Sequence, residues 1–226
     1  MQINKYTLLV ALSVCFVTFS FSQHRRYAIK NGIGIQGGFT QYDIITDNFE
    51  TTKGNGWVMG LNAIVDLPHK WYTVSYSMML SENTLSILGK QSQVSSIFKP
   101  IDYKLMAVHA NFIMHIKIIG QNLMFELGPQ LQYNDKLELK DSGLSEYILN
   151  AQNPIKANEI EDISKLNFNG MFGISAGFGF VRLRAQYIHG FTNMLSKLNE
   201  KDFSGNLNEK FKGNQSMYAF TVMIVL

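Results

Sequence analysis

Hydrophobic and polar residues alternate along most of this chain with a period of two. In the clearest case, 123–134, the odd-numbered positions are apolar, and from Glu126 onward the even-numbered ones are polar or glycine. A helix would scatter these two sets around its surface, whereas a strand places them on opposite faces. The same alternation returns at 181–187 and 218–226. The pattern therefore predicts an all-β protein.

Eight segments of this kind can be assigned, most of them close to the ~9–11 residues that a tilted transmembrane strand needs. They are 29–42, 56–66, 71–82, 102–118, 123–134, 166–177, 180–191 and 215–226. The connections alternate long and short, as the outer loops and periplasmic turns of outer-membrane barrels do. We therefore expect an eight-stranded antiparallel transmembrane up-and-down β-barrel. Its long outer loops would be 43–55, 83–101, 135–165 and 192–214, and its termini would be periplasmic.

Aromatic residues on the apolar faces agree with this orientation. Amphipathic rings favour the headgroup level of a bilayer, so a membrane barrel carries a belt near each end of its strands. The expected outer belt contains Phe39, Trp57, Tyr133, Tyr187 and Tyr218, and the expected inner belt contains Tyr72 and Phe125. A soluble lipocalin-like barrel, the alternative fold, would enclose its apolar face and has no reason to sort aromatics by height.

The first 22 residues predict a cleavable secretory signal. Lys5 supplies a positive charge, residues 8–19 form an apolar core too short to span a bilayer, and Ser20 and Ser22 provide small residues for cleavage. Val14 precedes Cys15 where a lipoprotein signal would need a small residue. We therefore expect a signal peptide at 1–22, a barrel domain at 23–226, and export to the outer membrane.

Composition excludes several classes of function. Cys15 is the one cysteine and lies in the predicted signal, so the mature chain can form neither a disulfide nor a thiolate metal site. With 20 basic and 17 acidic residues in the whole chain, its charge is nearly balanced, which gives no support to nucleic-acid binding. Mean hydropathy of −0.01 is compatible with strands that alternate lipid-facing and lumen-facing residues.

Three segments, 125–133, 168–177 and 184–193, resemble the PorT-like outer-membrane β-barrel family of Bacteroidota in their strand patterns and glycine positions. The resemblance implies a small eight-stranded barrel with a cleavable signal, located in the outer membrane. It covers most of the mature chain but includes no catalytic signature. The family's name-giver takes part in protein secretion, and no motif here carries that role over.

Two catalytic-looking motifs and a histidine pair have structural interpretations. Residues 32–37 fit G-x-G-x-x-G, but they lie inside a period-two segment rather than between a strand and a helix. Residues 173–177 fit G-x-S-x-G, but no acid separates Ser175 from the one later histidine, His189. His109 and His115 share a face, yet six residues of strand separate them by roughly 20 Å. We expect no catalytic residue, cofactor or metal.

Charged residues on the predicted lumen face form the candidate site. An eight-stranded barrel has an interior that side chains fill, and isolated charges there carry a desolvation cost of several kcal/mol, so they must pair. We predict a closed network in which Glu126 pairs with Arg182 or Arg184 and Lys30 lies beside Asp66. This lumen charge network comprises Lys30, Asp66, Lys117, Glu126, Arg182 and Arg184.

The sequence thus predicts a non-enzymatic barrel that contacts outer-membrane lipid and acts as a structural protein or binds partners through its outer loops. Two alternatives stay open: an accessory component of secretion or envelope assembly, and a small-barrel lipid-modifying enzyme. The enzyme would need a Ser or His with a base at the outer rim, where His189 has no evident partner. A passive pore disagrees with a filled lumen.

Overall fold

Eight antiparallel strands close into a barrel in chain order. The computed structural model describes residues 30–92, 94–149, 155–201 and 210–226, so the predicted signal at 1–22 lies outside the described residues. The strands are β1 (Lys30–Thr46), β2 (Thr51–Asp66), β3 (Tyr72–Gly89), β4 (Lys99–Ile119), β5 (Leu123–Leu139), β6 (Leu166–Phe178), β7 (Val181–Gly190) and β8 (Gly213–Val225). β8 pairs with β1 and completes the ring, which confirms the predicted fold class.

The strands are longer at one end than the sequence predicted. β3 continues to Gly89 instead of ending at 82, and β5 continues to Leu139 instead of ending at 134. β1 and β2 are likewise extended, which leaves only 47–50 between them. The predicted loop 43–55 is therefore wrong, and so is the strict alternation of long and short connections. The remaining long connections, 90–98, 140–165 and 191–212, still mark one end, which we call the outer end.

The outward face of the barrel is apolar over one part of its height and polar above it. On β3 the outward side chains run from Tyr72 through Tyr76 and Met78 to Leu80, and then change to Glu82, Thr84 and Ser86. Glu82 forms an outward ion pair with Lys104 of β4 at 3.0 Å. Eight residue steps from Tyr72 to Leu80, in a strand tilted by ~40°, cover about 21 Å, close to the ~25 Å apolar band of a membrane barrel.

The inward face changes from polar to apolar over the same height. Within the apolar band the buried inward residues are mostly polar, as Ser75, Ser77 and Ser81 of β3 illustrate. Beyond Asn83 the inward residues of the same strand are Leu85 and Ile87, both buried. Within the apolar band the barrel is therefore inverted, with polar side chains inside and apolar ones outside. Beyond the band it has an apolar interior, as a water-soluble protein does. We call the outer part the head; by the same arithmetic it extends about 15–20 Å past the band.

Two connections fill the head. The 140–165 connection contains short 3-10 helices at Ser142–Leu144 and Ala157–Ile160, and the 191–212 connection contains one at Ser196–Glu200. Their apolar side chains pack on the inward residues of the strands in one buried cluster: Tyr42, Ile44, Leu85, Ile101, Tyr103, Leu137, Leu144, Ile155, Ile160, Ile163, Met194, Leu195, Leu198 and Phe211. The backbone of Ser164 donates to Met194 O at 2.8 Å and joins the two connections. The described parts of these connections, 140–149, 155–165, 191–201 and 210–212, are therefore folded into the head.

Glycines allow the close approach of neighbouring strands around the barrel. A Cβ on Gly128 of β5 would lie 1.9 Å from the backbone oxygen of Phe112 on β4. Gly120 and Gly179 have φ of +52° and +62° in the short turns that the sequence assigned to 119–122 and 178–179. Glycine adopts this left-handed conformation without the penalty of a side chain.

Candidate functional site

Polar side chains fill the middle of the lumen. The amide of Asn169 donates to Gln130 and Gln132 at 2.7 and 2.8 Å, and Asn111 donates to Ser77 at 2.9 Å. Hydrogen bonds between buried side chains satisfy groups that would otherwise be costly in a closed interior. The lumen is therefore packed across the level of the apolar band.

Glu126 is the centre of the charged part of the lumen. Its carboxylate is fully buried and accepts from Arg184 through Nε at 3.1 Å and Nη2 at 2.9 Å, and from Gln186 at 2.7 Å. His115 Nδ1 lies 3.2 Å from the same carboxylate, and Arg184 also donates to Gln36 of β1. A two-point contact between guanidinium and carboxylate is the strongest geometry available to such a pair. The pair links β1, β4, β5 and β7 across the lumen.

A second ion pair lies nearer the end with the short turns, which we call the inner mouth. Lys117 donates to Asp66 at 2.9 Å and to Leu67 O at 3.0 Å, and Thr73 donates to Asp66 at 2.9 Å. Lys30 is directly opposite Asp66 in the β1–β2 register. Arg182 donates to Ser175 Oγ at 3.2 Å and to Gln121 O at 2.8 Å.

The structure thus brings Asp66, Lys117, Glu126, Arg182 and Arg184 to the inner half of the lumen but divides them into separate groups. Glu126 pairs with Arg184, and Arg182 takes no part in that contact. Asp66 forms its ion pair with Lys117 of β4. The sequence limited the partner of Glu126 to Arg182 or Arg184, but it could not choose between them and did not pair Asp66 with Lys117, because such contacts depend on strand stagger.

Two serine–histidine pairs were missed by sequence reasoning. Ser75 Oγ lies 2.7 Å from His115 Nε2, and Ser81 Oγ lies 2.7 Å from His109 Nε2. Both pairs join β3 to β4. Two serines and two histidines, each pair six residues apart on adjacent antiparallel strands, were the available signal. With Glu126 behind His115, the first pair has the order hydroxyl, imidazole, carboxylate that is found in nucleophilic hydrolases.

The surroundings of this triad disagree with catalysis. Ser75 is buried and is not on the wall of the cavity that His115 reaches. Arg184 already neutralises Glu126, so the carboxylate has little capacity to stabilise an imidazolium. The backbone of β3 and β4 is engaged in continuous pairing around Ser75, which leaves no pair of N–H donors to form an oxyanion hole.

The predicted belt residues all lie on the outward face. Tyr72 and Phe125 of the inner belt lie at or near the start of β3 and β5, whereas the residues of the outer belt lie within their strands rather than at the ends. Phe39 is opposite Trp57, and Tyr187 is opposite Tyr218 with ring centroids 4.8 Å apart. Lys53 Nζ lies 5.5 Å from the centroid of the Tyr218 ring. Because the strands extend into the head, the rings of the outer belt lie at the level where the outward face of the barrel changes from apolar to polar.

The other motifs lie within strands, as the sequence indicated. The G-x-G-x-x-G match is part of β1 and the G-x-S-x-G match part of β6. Among residues 30–92, 94–149, 155–201 and 210–226, no three His, Cys, Asp or Glu side chains come together as a possible metal site. Nor does any helix within those ranges have the length and apolarity to cross a bilayer.

Neither a protein-family model nor a curated protein sequence matches the chain, so the resemblance to the PorT-like family stays a prediction. Solved structures with a similar shape are outer-membrane proteins. Neisserial surface protein A is 13% identical with a TM-score of 0.46, over 85% of this chain and 96% of that one. Ail, the attachment invasion locus protein of Yersinia pestis, is 12% identical with a TM-score of 0.44, over 87% and 99%. The outer membrane enzyme PagL is 13% identical with a TM-score of 0.38, over 86% and 99%. At these values nothing beyond the fold can be transferred.

Proposed function

We propose that this protein is a non-enzymatic barrel of the outer membrane, closed to solutes, whose folded head binds a protein partner outside the membrane. The reversal of polarity along the strands carries the proposal. An apolar core inside the head has no use in a simple membrane anchor, because the band alone would satisfy the bilayer. A rigid scaffold that holds connections in a defined shape is the usual basis of a binding surface.

The 90–98 connection is the favoured contact surface. Val94, Ile97 and Phe98 expose 93%, 79% and 55% of their surface at the top of the head, beyond the band that faces lipid. Exposed apolar side chains grouped in this way mark sites of interaction. By contrast, the apolar residues in the described parts of the 140–165 and 191–212 connections are largely buried in the head.

Photo-crosslinking in intact cells tests this surface. A photoreactive residue at Ile97 should give a discrete protein adduct, whereas one at Glu138, which is exposed on β5 of the same head, should give none. Equal labelling at both positions, or adducts to lipid alone, would contradict the proposal. A stable open conductance in planar bilayers would contradict the closed lumen.

An acyl hydrolase is the second candidate, because Ser75, His115 and Glu126 stand in the order that such enzymes use. A fluorophosphonate probe, which reacts with activated serines, distinguishes the two. We expect no labelling of the folded protein in micelles. Labelling that disappears in Ser75→Ala but persists in Ser81→Ala would establish the enzyme and remove the non-enzymatic proposal.

An accessory role in secretion or envelope assembly is supported by the family resemblance alone. Deletion of the gene followed by quantification of the secreted proteins tests it. An unchanged set of secreted proteins would remove this alternative and leave the binding head.

A further inference from the structure

The inner mouth contains a cavity of about 230 Å³ that the proposed function does not use. It lies at the opposite end of the barrel from the head. One part of its wall is apolar and includes Ile64, Met124, Met223 and Val225. The polar part includes His115, Asp66 and Arg182. A small, partly apolar cavity with a few convergent polar groups has the character of a ligand site, although it is smaller than the ~300–1,000 Å³ of drug-sized pockets.

Arg182 brings to this wall a positive charge that has no carboxylate within ion-pair distance among the described residues. Its bonds to Ser175 and to the backbone oxygen of Gln121 use two of the five N–H donors of a guanidinium. Within the described part of the chain it forms no ion pair. The acids closest to it in the lumen are already engaged, since Asp66 pairs with Lys117 and Glu126 pairs with Arg184.

The position of this guanidinium depends on a glycine. A Cβ on Gly177 would lie 2.7 Å from Arg182 Nη2 and 2.9 Å from Cζ, so a side chain at 177 would displace the group. The neighbouring strand thus leaves room for the guanidinium to lie flat against it. The charge is held at the cavity wall from three sides, by Gly177, Ser175 and Gln121.

We propose that the cavity binds a small organic monoanion, a carboxylate carried on a short apolar chain. A guanidinium pairs with a carboxylate through two parallel hydrogen bonds, and one free positive charge matches one negative charge. Ile64, Met124, Met223 and Val225 would contact the apolar chain. This chemistry has two sources, a free short-chain acid and the apolar carboxyl terminus of a peptide.

Methionine-methyl NMR of the full protein in micelles tests the site. Hexanoate represents the free acid, N-acetyl-leucine represents a peptide terminus, and hexanol lacks the charge. We expect one or both of the carboxylates to shift the methyl signals of Met124 and Met223 in a saturable way while Met217, which is buried higher in the lumen, stays unchanged. The better of the two ligands identifies the source.

Arg182→Gln should weaken the carboxylate on the order of tenfold, because a charge-assisted pair is lost. Gly177→Ala should weaken it while keeping the charge. Lys70→Gln is the matched control, since Lys70 is an exposed cation of the inner turn that does not reach the cavity. Heat-modifiable migration on gels verifies that each variant is folded. Absence of saturable shifts with either carboxylate, equal affinity in Arg182→Gln, or equal shifts with hexanol would overturn the proposal.

Discussion

Replacement of Glu126 by glutamine should destabilise the barrel strongly although it changes neither volume nor shape. Arg184 is only 3% exposed and directs two N–H groups at the Glu126 carboxylate, Nη2 to one oxygen and Nε shared between both. Glutamine would place an NH₂ group against N–H groups of Arg184 and would leave the charge of the guanidinium without a carboxylate partner. Removal of one partner of a buried ion pair costs about 3–5 kcal/mol.

For a protein of this size, 1 kcal/mol corresponds to about 2–4 °C in Tm, so Glu126→Gln should lower the midpoint by about 6–20 °C. The midpoint can be followed in micelles by the loss of heat-modifiable migration. Glu82→Gln is the control, because the Glu82–Lys104 pair faces outward, is partly exposed and contributes about 1 kcal/mol or less. A double variant, Glu126→Gln with Arg184→Met, removes the orphaned charge and should recover part of the loss. If Glu126→Gln and Glu82→Gln have the same melting midpoint, the reasoning on the buried pair is refuted.

Two further predictions concern the wall and the head. Gly128→Ala would place a methyl group 1.9 Å from Phe112 O and should reduce the folded fraction on gels, whereas Gly37→Ala, whose Cβ would meet Val58 O at 3.7 Å, should fold normally; equal yields would contradict the steric argument. Leu85→Ala removes a fully buried side chain from the head and should cost about 2–5 kcal/mol, so trypsin should cut the head faster in intact cells. Ser86→Ala, its outward neighbour, should leave the rate nearly unchanged, and matching rates would argue against a packed head.

The sequence was sufficient for the fold class, the number of strands and the lumen face of the charged residues. It failed on the outer ends for a physical reason. On β3 the apolar positions are mainly even-numbered up to Leu80, and the buried apolar positions are odd-numbered from Leu85; such a change of phase normally indicates that a strand has ended. Here the strand continues, and the environment changes from lipid to water on one side and from polar lumen to apolar core on the other.

On the neighbouring strands, β-bulges obscure the same exchange of apolar and polar faces in the sequence pattern. One bulge lies on β2 between Lys53 and Gly56, and another lies on β5 between Asn134 and Leu137, opposite Ala107 and Leu105 of β4; both are near the level where polarity inverts. Each bulge inserts an unpaired residue, so the inward positions no longer follow a single parity. On β5, Asn134 and Leu137 both point inward although they are three residues apart. One chain offers no pattern from which such a bulge can be derived.

The sequence narrowed the partner of Glu126 to two arginines but could not choose between them, and it did not pair Asp66 with Lys117. The contact between Glu126 and Arg184 crosses from β5 to β7, and that between Asp66 and Lys117 crosses from β2 to β4. Neither contact joins neighbouring strands. Which side chains meet inside a closed barrel depends on the stagger and tilt of all eight strands together.

The account depends most on the inversion of polarity along the strands, and spin labels on one strand test it directly. The one natural cysteine, Cys15, lies in the predicted signal, so single cysteines can be introduced at outward positions of β3 in the mature protein without background. In lipid bilayers, labels at Val74, Tyr76, Met78 and Leu80 should collide mainly with dissolved oxygen. Labels at Glu82, Thr84 and Ser86 should collide mainly with a water-soluble nickel complex. A switch between Leu80 and Glu82 is the predicted result; water accessibility throughout, or lipid accessibility as far as Ser86, would contradict the inverted barrel with a head above the membrane.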